Sequence, residues 1–398
     1  MRKIHSVRIF AGAVALALTL SAPAGTLTAF ADETKQETAI SGPSSDPSLV
    51  NGQGTANGPG ASASGTSGNT SAGAGTNYDE IDYSGGIVHP VDKYSYSQME
   101  KELKALAAAY PKTMQLKEIG KSYEGRSLWC AVIGNPNAPK KILFQGAMHA
   151  REYMSVPIMM KQAENLLQGA KAGAAYNGTK VSDLLNQVCF YFIPMINPDG
   201  VTISQSGEEG ATDEVKQILR TAYQQDKANG KTSASYENYL KTWKANARGV
   251  DLNNNWDSGN WVGNNGYPRA MGYRGTAPLS EPESKALAEL TRQVNFSAAI
   301  SYHNMGDVIY WDTEINRVRT ASKEMADLIN ASTHYALMNS RGYGGFKDWM
   351  QSRSDNPVPG ITIEIGKSTA PVNFSEFDTL WKENRVVPGL IAGYVLSH

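Results

Sequence analysis

The sequence has few cysteines. Its 398 residues include only Cys130 and Cys189. Both lie in apolar, strand-like segments, LWCAVI and VCFYFI, and neither has the neighbours of a zinc–thiolate site. In an exported protein the two could form a disulfide, and two buried free thiols fit the sequence equally well. The sequence therefore offers no zinc–thiolate centre.

An excess of charge of one sign is also missing. Lys and Arg total 37, Asp and Glu total 38, and the formal net charge is −1. No basic stripe stands out, which argues against nucleic acid as the main partner. Hydrophobic residues make up 41% and charged residues 19%, as in a globular protein with a sizeable core. The length allows one large domain or two ordinary ones.

Long hydrophobic runs are absent after the N-terminal region. The chain begins with MRK, continues with the apolar run IFAGAVALALTL and reaches AFA at residues 29–31. This order predicts a secretory signal peptide, cleaved after Ala31. A retained membrane anchor is the alternative, but the run is short for a membrane span. We therefore expect a secreted, extracellular protein with no membrane span after signal removal. Association with the cell wall is compatible with this expectation.

A low-complexity segment separates the signal from the rest. Residues 41–77 are nearly all Gly, Ser, Ala, Thr, Asn and Pro, a composition that cannot bury a core. We expect a signal peptide at residues 1–31, a disordered spacer at residues 32–77 and a folded domain at residues 78–398.

Helical and strand-like patterns alternate along the remaining chain. Helix-like segments are 95–110, 155–167, 280–294 with Ser280 as its N-cap, 321–339 and 377–396, and strand-like segments are 114–120, 127–134, 141–147, 188–196, 296–303 and 360–366. NPDG, residues 197–200, is a turn signal, and residues 208–247 form a polar, helical insertion. The alternation predicts an α/β domain with a mostly buried sheet.

GAMHAREY follows one of the predicted buried strands. It places His149 and Glu152 three residues apart, where a strand ends and a helix begins. Ligands of open α/β sheets gather at such positions. Two histidines and one carboxylate around zinc leave a fourth position for water, which is the catalytic arrangement. A second histidine is therefore required.

His303 is the best candidate for that histidine, because it closes the strand AAISYH. It could instead be a core histidine without a metal. The other histidines after the signal region are His89, His334 and His398, of which His334 is expected in mid-helix as a surface or packing residue.

Two further charged residues could complete a reaction centre. Glu364 lies inside the apolar strand ITIEIG, where a carboxylate is costly unless it is paired or functional. It could accept a proton from water or form a structural salt bridge. Arg248, in NARGVD, could stabilise a developing oxyanion or lie on the surface.

The segments HARE, NPDG, ARGVDLNNNW, SEPES, SYH and TIEIG, in this order, resemble the zinc carboxypeptidase A-like metallopeptidases. The resemblance extends from about Tyr94 to the C-terminus. It implies an α/β fold with a mixed central sheet flanked by helices. It also implies one zinc ion per chain, with His149, Glu152 and His303 as its ligands.

The same resemblance implies roles for three more residues. Glu364 would be the general base and acid, and Arg248 would polarise the scissile carbonyl. Arg151 matches a substrate-binding position of the family. The substrate would be a peptide.

DLNNNW departs from the family pattern. The typical exopeptidase has Asn-Arg-Asn here, and the Asn and Arg hold the free C-terminal carboxylate of the substrate. Asn253 matches the Asn, but Asn254 stands at the Arg position. The bidentate carboxylate fork is therefore absent. Alternatively, Arg269 or Arg274 in YPRAMGYRG has taken over its role.

GGFKDWM covers the family's specificity pocket. Lys347 stands at the pocket floor beside Asp348. Lys347 could meet a carboxylate and Asp348 an amine, and diaminopimelate carries both groups. Alternatively, Lys347 is a solvated lysine before a packed Trp349. The mobile tyrosine of the family would be Tyr343 or Tyr335, and Tyr343 is the substrate-binding candidate.

The chain is similar to bacterial family members that cut the γ-D-glutamyl–diaminopimelate bond. We therefore predict a secreted zinc metallopeptidase that acts on peptidoglycan stem peptides. The alternatives are a metallocarboxypeptidase for ordinary peptides and a non-catalytic cell-wall-binding module. The presence of every zinc and base residue argues against the module.

Overall fold

The computed structural model describes residues 77–83, 85–259, 261, 266–340 and 344–398. The predicted signal peptide, the predicted spacer up to residue 76, and Tyr343 lie outside these ranges. Asn77, the last residue of the predicted spacer, already pairs with Ala175 in an isolated β-bridge. Within the described ranges no helix combines the length and apolarity needed to cross a membrane.

The described helices are α1 Tyr96–Ala109, α2 Ser155–Ala172, α3 Val181–Gln187, α4 Pro198–Ser206, α5 Asp213–Ala228, α6 Tyr236–Lys241, α7 Pro282–Gln293, α8 Arg319–Thr333, α9 Phe346–Ser352, α10 Phe377–Asn384 and α11 Val387–Ser397. The strands are β1 Met114–Lys121, β2 Ser127–Ile133, β3 Lys140–Gly146, β4 Ala175–Tyr176, β5 Thr179–Lys180, β6 Val188–Ile193, β7 Ala298–His303, β8 Val308–Asp312, β9 Ala336–Asn339 and β10 Gly360–Glu364. Short 3₁₀ turns cover Tyr78–Glu80, Leu252–Asn254 and Phe374–Glu376.

Eight strands form one mixed sheet in the order β1-β2-β6-β3-β7-β10-β8-β9. The four central strands, β6, β3, β7 and β10, are parallel to one another. β6 and β7 are buried along their whole length, as expected for parallel strands covered on both faces. The expected mixed sheet flanked by helices is confirmed. β4 and β5 form a separate two-stranded hairpin.

Alternate residues of the central strands enter two different apolar clusters. Phe144 belongs to the cluster that includes residues of α2, α8 and α11, and its ring stacks on Phe192 at 4.8 Å. Leu143 belongs to the other cluster, which includes residues of α7 and α9. Cys130 and Cys189 also belong to that second cluster, both as buried free thiols. Their burial raises the pKa of Cys189 to about 12.

Two helix starts differ from the predictions. NPDG is the start of α4 rather than a simple turn, because the Asn197 side chain caps the helix by accepting from Gly200 N at 3.0 Å. Pro198 then occupies a first-turn position, where its missing N–H costs nothing. The N-cap of α7 is Glu281, not Ser280.

The predicted C-terminal helices are also divided. α8 ends at Thr333, and His334 is its C-cap with φ 62°, so the expectation of a mid-helix histidine was wrong. A residue in this left-handed region ends a helix, and the chain continues into the edge strand β9. The last predicted helix is two helices, α10 and α11, with Pro388 in the first turn of the second.

Candidate active site

The loop between β3 and α2 is folded tightly back on itself. Ala147 has φ 49°, and its N–H donates to Ser155 Oγ at 3.1 Å. Ser155 Oγ in turn donates to the Glu152 carbonyl oxygen at 2.8 Å. Asn197 Nδ2 holds the same loop from outside by donating to Met148 O at 3.0 Å. These bonds fix the segment that carries the first two predicted ligands.

The structure brings His149, Glu152 and His303 together. His149 Nδ1 lies 2.9 Å from Glu152 Oε1, and His303 Nδ1 lies 2.9 Å from Glu152 Oε2. The two Nδ1 atoms are 3.1 Å apart, and all three residues are buried. Ligand atoms about 2.0–2.1 Å from a tetrahedral zinc lie about 3.3 Å from one another. The donor set and its spacing therefore fit one zinc ion.

Asp251 is a residue of this site that the sequence did not reveal. Its Oδ1 lies 3.1 Å from His149 Nε2, so that nitrogen donates to Asp251 and Nδ1 is left for a metal. Burial opposes the charged form of Asp251, yet His149 outweighs it and holds the pKa of this carboxyl well below its usual range. The available signal was an acidic residue at the head of DLNNNW.

The carboxylate of Glu152 is also held in its charged form. Burial favours the neutral acid, but the charge of His149 and hydrogen bonds from His149 and His303 outweigh it, so the pKa of Glu152 lies well below its usual range. The backbone N–H of Asn304 donates to Oε2 at 3.2 Å. Glu152 is thus ready to bind a cation.

Glu364 ends β10 directly beside the metal ligands. Its Cα pairs with that of His303 on β7, and its side chain faces a cleft. Burial raises the pKa of Glu364 to about 7; the charge of His303 lowers it and that of Glu152 raises it. Arg151 is half-buried and close enough to favour the charged form of Glu364. A carboxyl with this pKa can exchange a proton near neutral pH.

The cleft beside these residues has a volume of about 360 Å³. It is lined by His149, Lys244, Asp251, Asn253, Asn254, Tyr310, Ser340, Gly345, Lys347, Asp348, Thr362 and Glu364. Four predicted substrate-binding residues, at positions 253, 254, 347 and 348, therefore share one cavity.

The two arginines considered as substitutes for Asn254 do not line this cleft. Arg269 Nε donates to Met271 O at 2.9 Å, and its guanidinium lies 5.6 Å from the centre of the Tyr267 ring. Arg274 lies over the Trp261 ring, 5.4 Å from its centre. Among the described residues that line the cleft, the lysine and arginine positions are Lys244 and Lys347, both lysines.

Lys347 is buried rather than solvated. Its Nζ lies 2.5 Å from Asp348 Oδ1 and donates to Asp312 O at 3.0 Å and to Ser340 Oγ at 3.1 Å. Burial lowers the pKa of Lys347, against the opposing effect of Asp348. The three ammonium protons therefore have acceptors already, so the pocket floor presents an ion pair and not a free lysine.

The structure does not bring Arg248 to the cleft. Arg248 Nη1 lies 3.6 Å from Glu281 Oε1, and the guanidinium lies 5.3 Å from the centre of the Tyr123 ring. Lys244, which the sequence analysis passed over, lines the cleft instead. No local sequence pattern separates Lys244 from Arg248, and only the structure shows that the preceding side chain, Trp243, is buried.

Tyr335 lies away from the cleft. It is buried, and its hydroxyl donates to Glu383 Oε2 at 2.6 Å and accepts from Asn384 Nδ2 at 3.0 Å. These bonds attach it to α10. The other candidate for a mobile tyrosine, Tyr343, is outside the described residues.

Comparison with known proteins gives a consistent result. The family model for zinc carboxypeptidases matches residues 99–386. The gamma-D-glutamyl-L-diamino acid endopeptidase 1 of Lysinibacillus sphaericus is 32% identical over 300 residues, covering 75% of this chain and 72% of the relative. Carboxypeptidase B of Astacus astacus is 24% identical over 315 residues, covering 74% and 91%.

Two solved structures support the fold. The carboxypeptidase A of Helicoverpa armigera aligns with a TM-score of 0.56 at 19% identity, covering 81% of this chain and 75% of that one. Thrombin activatable fibrinolysis inhibitor aligns with a TM-score of 0.55 at 20% identity, covering 79% and 80%.

Proposed function

Because the chain belongs to the zinc carboxypeptidase family and is a zinc metallopeptidase, we propose that it cuts the γ-D-glutamyl–diaminopimelate bond of peptidoglycan stem peptides outside the cell. The observation that carries this proposal is Asn254, a neutral residue on the cleft wall where the exopeptidases place the arginine that holds a free carboxylate. The similarity to a relative named as a gamma-D-glutamyl-L-diamino acid endopeptidase supports cleavage of the same bond.

The cleft wall favours a substrate that continues past the cut bond. Asn253 and Asn254 are uncharged, and Asn253 Oδ1 is already bonded to the backbone N–H of Phe346 at 3.0 Å. An amide side chain cannot neutralise a desolvated carboxylate as a guanidinium fork does. A residue whose α-carboxyl is linked to D-Ala is therefore at no disadvantage here.

The pocket floor supports a diamino acid after the cut bond. Asp348 Oδ1 is occupied by Lys347 and by Ser340 Oγ, which donates at 2.9 Å. Among the described residues, Oδ2 has no hydrogen-bond donor. An ammonium group at the end of a substrate side chain can donate to that oxygen. Diaminopimelate and lysine both carry such an ammonium.

The residues around the metal centre supply hydrolysis. Zinc held by these residues would supply Lewis-acid chemistry, polarising the scissile carbonyl and making the attacking water easier to ionise. Glu364 accepts a proton from the attacking water and delivers it to the nitrogen of the leaving amine. His149, Glu152 and His303 would hold the metal, and Asp251 fixes the orientation of the first imidazole.

The proposed site of action rests on the N-terminal sequence. The basic start, short apolar run and AFA of residues 1–31 support export. N-terminal sequencing of protein recovered from the culture medium should find a mature chain that begins near Asp32. Recovery of the full-length chain in the cell fraction alone would contradict export.

The bond is tested by product analysis. The purified enzyme is incubated with the stem tetrapeptide L-Ala–γ-D-Glu–diaminopimelate–D-Ala, and the products are identified by mass spectrometry. We expect L-Ala–γ-D-Glu and diaminopimelate–D-Ala, with Glu364→Gln as the inactive control. Release of D-Ala alone would instead identify a metallocarboxypeptidase. The same assay with lysine in place of diaminopimelate tests which groups the pocket floor recognises.

A further inference from the structure

Peptide hydrolysis places negative charge on the scissile carbonyl oxygen, and a fixed cation beside that oxygen lowers the barrier. The segment before DLNNNW contains two cations four residues apart, Lys244 and Arg248. The sequence alone does not show which of the two lies beside the scissile carbonyl oxygen. The contacts of the two side chains distinguish them.

The backbone of Lys244 is bonded to the metal-binding loop. Ala150, between the ligands His149 and Glu152, donates its N–H to Lys244 O at 3.0 Å. Lys244 N donates to Ala270 O at 2.9 Å. Trp243 anchors the segment in the apolar cluster formed with α5 and α6. The position of Lys244 relative to the metal ligands is therefore fixed by main-chain hydrogen bonds.

The side chain of Lys244 extends to the metal centre, and its ammonium protons are available to a substrate. Its Nζ lies 3.8 Å from Glu152 Oε1, too far for a hydrogen bond, and that is its nearest salt-bridge partner among the described residues. The side chain is 25% exposed and lines the cleft. An ammonium has three protons, so it can donate to a substrate oxygen held beside the metal ligands.

Arg248 is engaged elsewhere. It pairs with the buried Glu281 and lies against the ring of Tyr123, whose hydroxyl donates to Glu214 at 2.6 Å. Moving Arg248 to the cleft would leave the buried Glu281 without its cationic partner, which is costly. Lys244 needs no such rearrangement.

We propose that Lys244 is a catalytic residue whose ammonium group stabilises the negative charge that develops on the scissile carbonyl oxygen. It takes the role that the family resemblance suggested for Arg248. The inference rests on the peptidase activity but not on the identity of the stem-peptide bond. It also means that a single point charge, and not a bidentate guanidinium, acts on this oxygen.

The test compares Lys244→Met, Lys244→Arg and Arg248→Met on the best-cleaved peptide, chosen from the stem tetrapeptide and ordinary peptides. Removal of one oxyanion donor typically costs about 100- to 1,000-fold in turnover, so we expect a loss of that size in Lys244→Met. Lys244→Arg should recover part of the activity, and Arg248→Met should lose much less. Lys241→Gln is the matched control, because Lys241 is exposed on α6 and pairs with Glu237.

A second readout does not depend on turnover. A phosphinic analogue of the cleaved peptide carries negative charge where the carbonyl oxygen develops it. Calorimetry on the zinc-loaded proteins should show at least about tenfold weaker binding of this analogue by Lys244→Met, the lower end of what a hydrogen bond to a charged group contributes, with zinc content equal to that of the wild type.

Three outcomes would overturn the proposal: near-normal turnover and phosphinate affinity in Lys244→Met, a larger loss in Arg248→Met, or loss of zinc from Lys244→Met. The last would make Lys244 a structural residue of the metal loop. If the wild type cleaves only ordinary peptides, the stem-peptide assignment fails, and the comparison of the lysine variants is still made on those peptides.

Discussion

Glu364 on β10 is the direct lateral neighbour of His303 on β7, because the two residues are Cα partners in a parallel strand pair. Neighbouring strands lie about 4.7–4.9 Å apart, so the sheet itself sets the separation of Glu364, the proposed base, and His303, the proposed metal ligand. Ile361 and Ile363 of the same strand enter the apolar core. A one-residue slip would turn Glu364 into that core, so burial of the two isoleucines fixes the register of the base.

Glu364→Gln should keep the zinc and lose activity. The amide preserves the shape of the side chain but cannot accept a proton from water. General acid–base catalysis is worth about 100- to 10,000-fold, so we expect a fall in kcat of at least about a hundredfold. The measurement pairs steady-state kinetics with the zinc content of the purified protein. Turnover close to that of the wild type would place the base at another residue.

Substitution of a metal ligand should weaken zinc binding more than substitution of the residue that orients a ligand. His149→Ala and His303→Ala each remove a ligand and should abolish most zinc binding and activity. Asp251→Asn removes the negative charge that faces His149 and replaces one of two accepting oxygens with an NH₂ donor, and loss of such a partner weakens metal affinity by about 10- to 100-fold. Competition with a chelator measures both effects. Full zinc occupancy in the two histidine variants would refute the ligand assignment.

The central sheet was predictable because parallel strands covered on both faces appear as continuous apolar runs. β3, β6 and β7 each contain such a run. β9 was not predicted, because this edge strand is mostly exposed and ALMN has no alternating pattern. Its start depends on the left-handed backbone of His334, which no sequence pattern revealed.

The metal ligands were predictable because their spacing and strand-end positions are local features. The choice between Lys244 and Arg248 was not, because residues 242–251 have no regular helix or strand whose period would assign each side chain to a face. The Lys347–Asp348 pair likewise depends on Asp312 and Ser340, which only the tertiary structure brings close. The roles of these side chains therefore depend on contacts between residues that are far apart in the sequence, which local sequence patterns do not reveal.

Lys347→Met should destabilise the fold. It leaves Asp348 buried without its cation, and removal of one partner from a buried ion pair costs about 3–5 kcal/mol. The double variant Lys347→Met/Asp348→Asn removes both charges and should recover much of that loss. Urea unfolding of the three proteins gives the free energies. Equal stability of the single variant and the wild type would show that the pair is not a structural element.

Glu283 should make stability depend on pH. It is fully buried, accepts hydrogen bonds from Tyr123 N and Asn246 Nδ2 at 3.1 Å each, and burial raises its pKa to about 7. The usual pKa of a glutamate is about 4.3, so between that pH and about 7 the folded state binds more protons than the unfolded state. Stability from this group is therefore present at low pH and is lost as the pH rises through 7.

Glu283→Gln removes this titration. Relative to the wild type, its free energy of unfolding should therefore improve by roughly 2–3 kcal/mol between pH 5 and pH 8. Urea unfolding at the two pH values measures the difference. Glu289→Gln, an exposed change on the same helix, is the control. A difference between variant and wild type that does not change with pH would contradict the raised pKa.

Asn254→Arg should shift the preference of the enzyme toward substrates with a free α-carboxylate after the cut bond. The exopeptidases place arginine here, and a hydrogen bond to a charged group contributes about 1.5–3 kcal/mol, or roughly 10- to 150-fold in binding. The shift can be smaller than this, because a grafted arginine lacks supporting contacts in a wall built around asparagine. The wild type, without this charge, should accept a diaminopimelate whose α-carboxyl is amide-linked to D-Ala.

The measurement compares kcat/KM for the free-carboxylate and amidated forms of one peptide in both proteins. The matched control is Asn255→Ala, because Asn255 donates to Arg274 O and Ala277 O and does not line the cleft. That control should alter stability but not the ratio of the two forms. If the wild type already prefers the free-carboxylate form by about a hundredfold, the full scale of a charged hydrogen bond, another residue reads the terminus. The proposed endopeptidase action would then be wrong, because efficient cleavage would require a free C-terminal carboxylate on the residue after the cut bond.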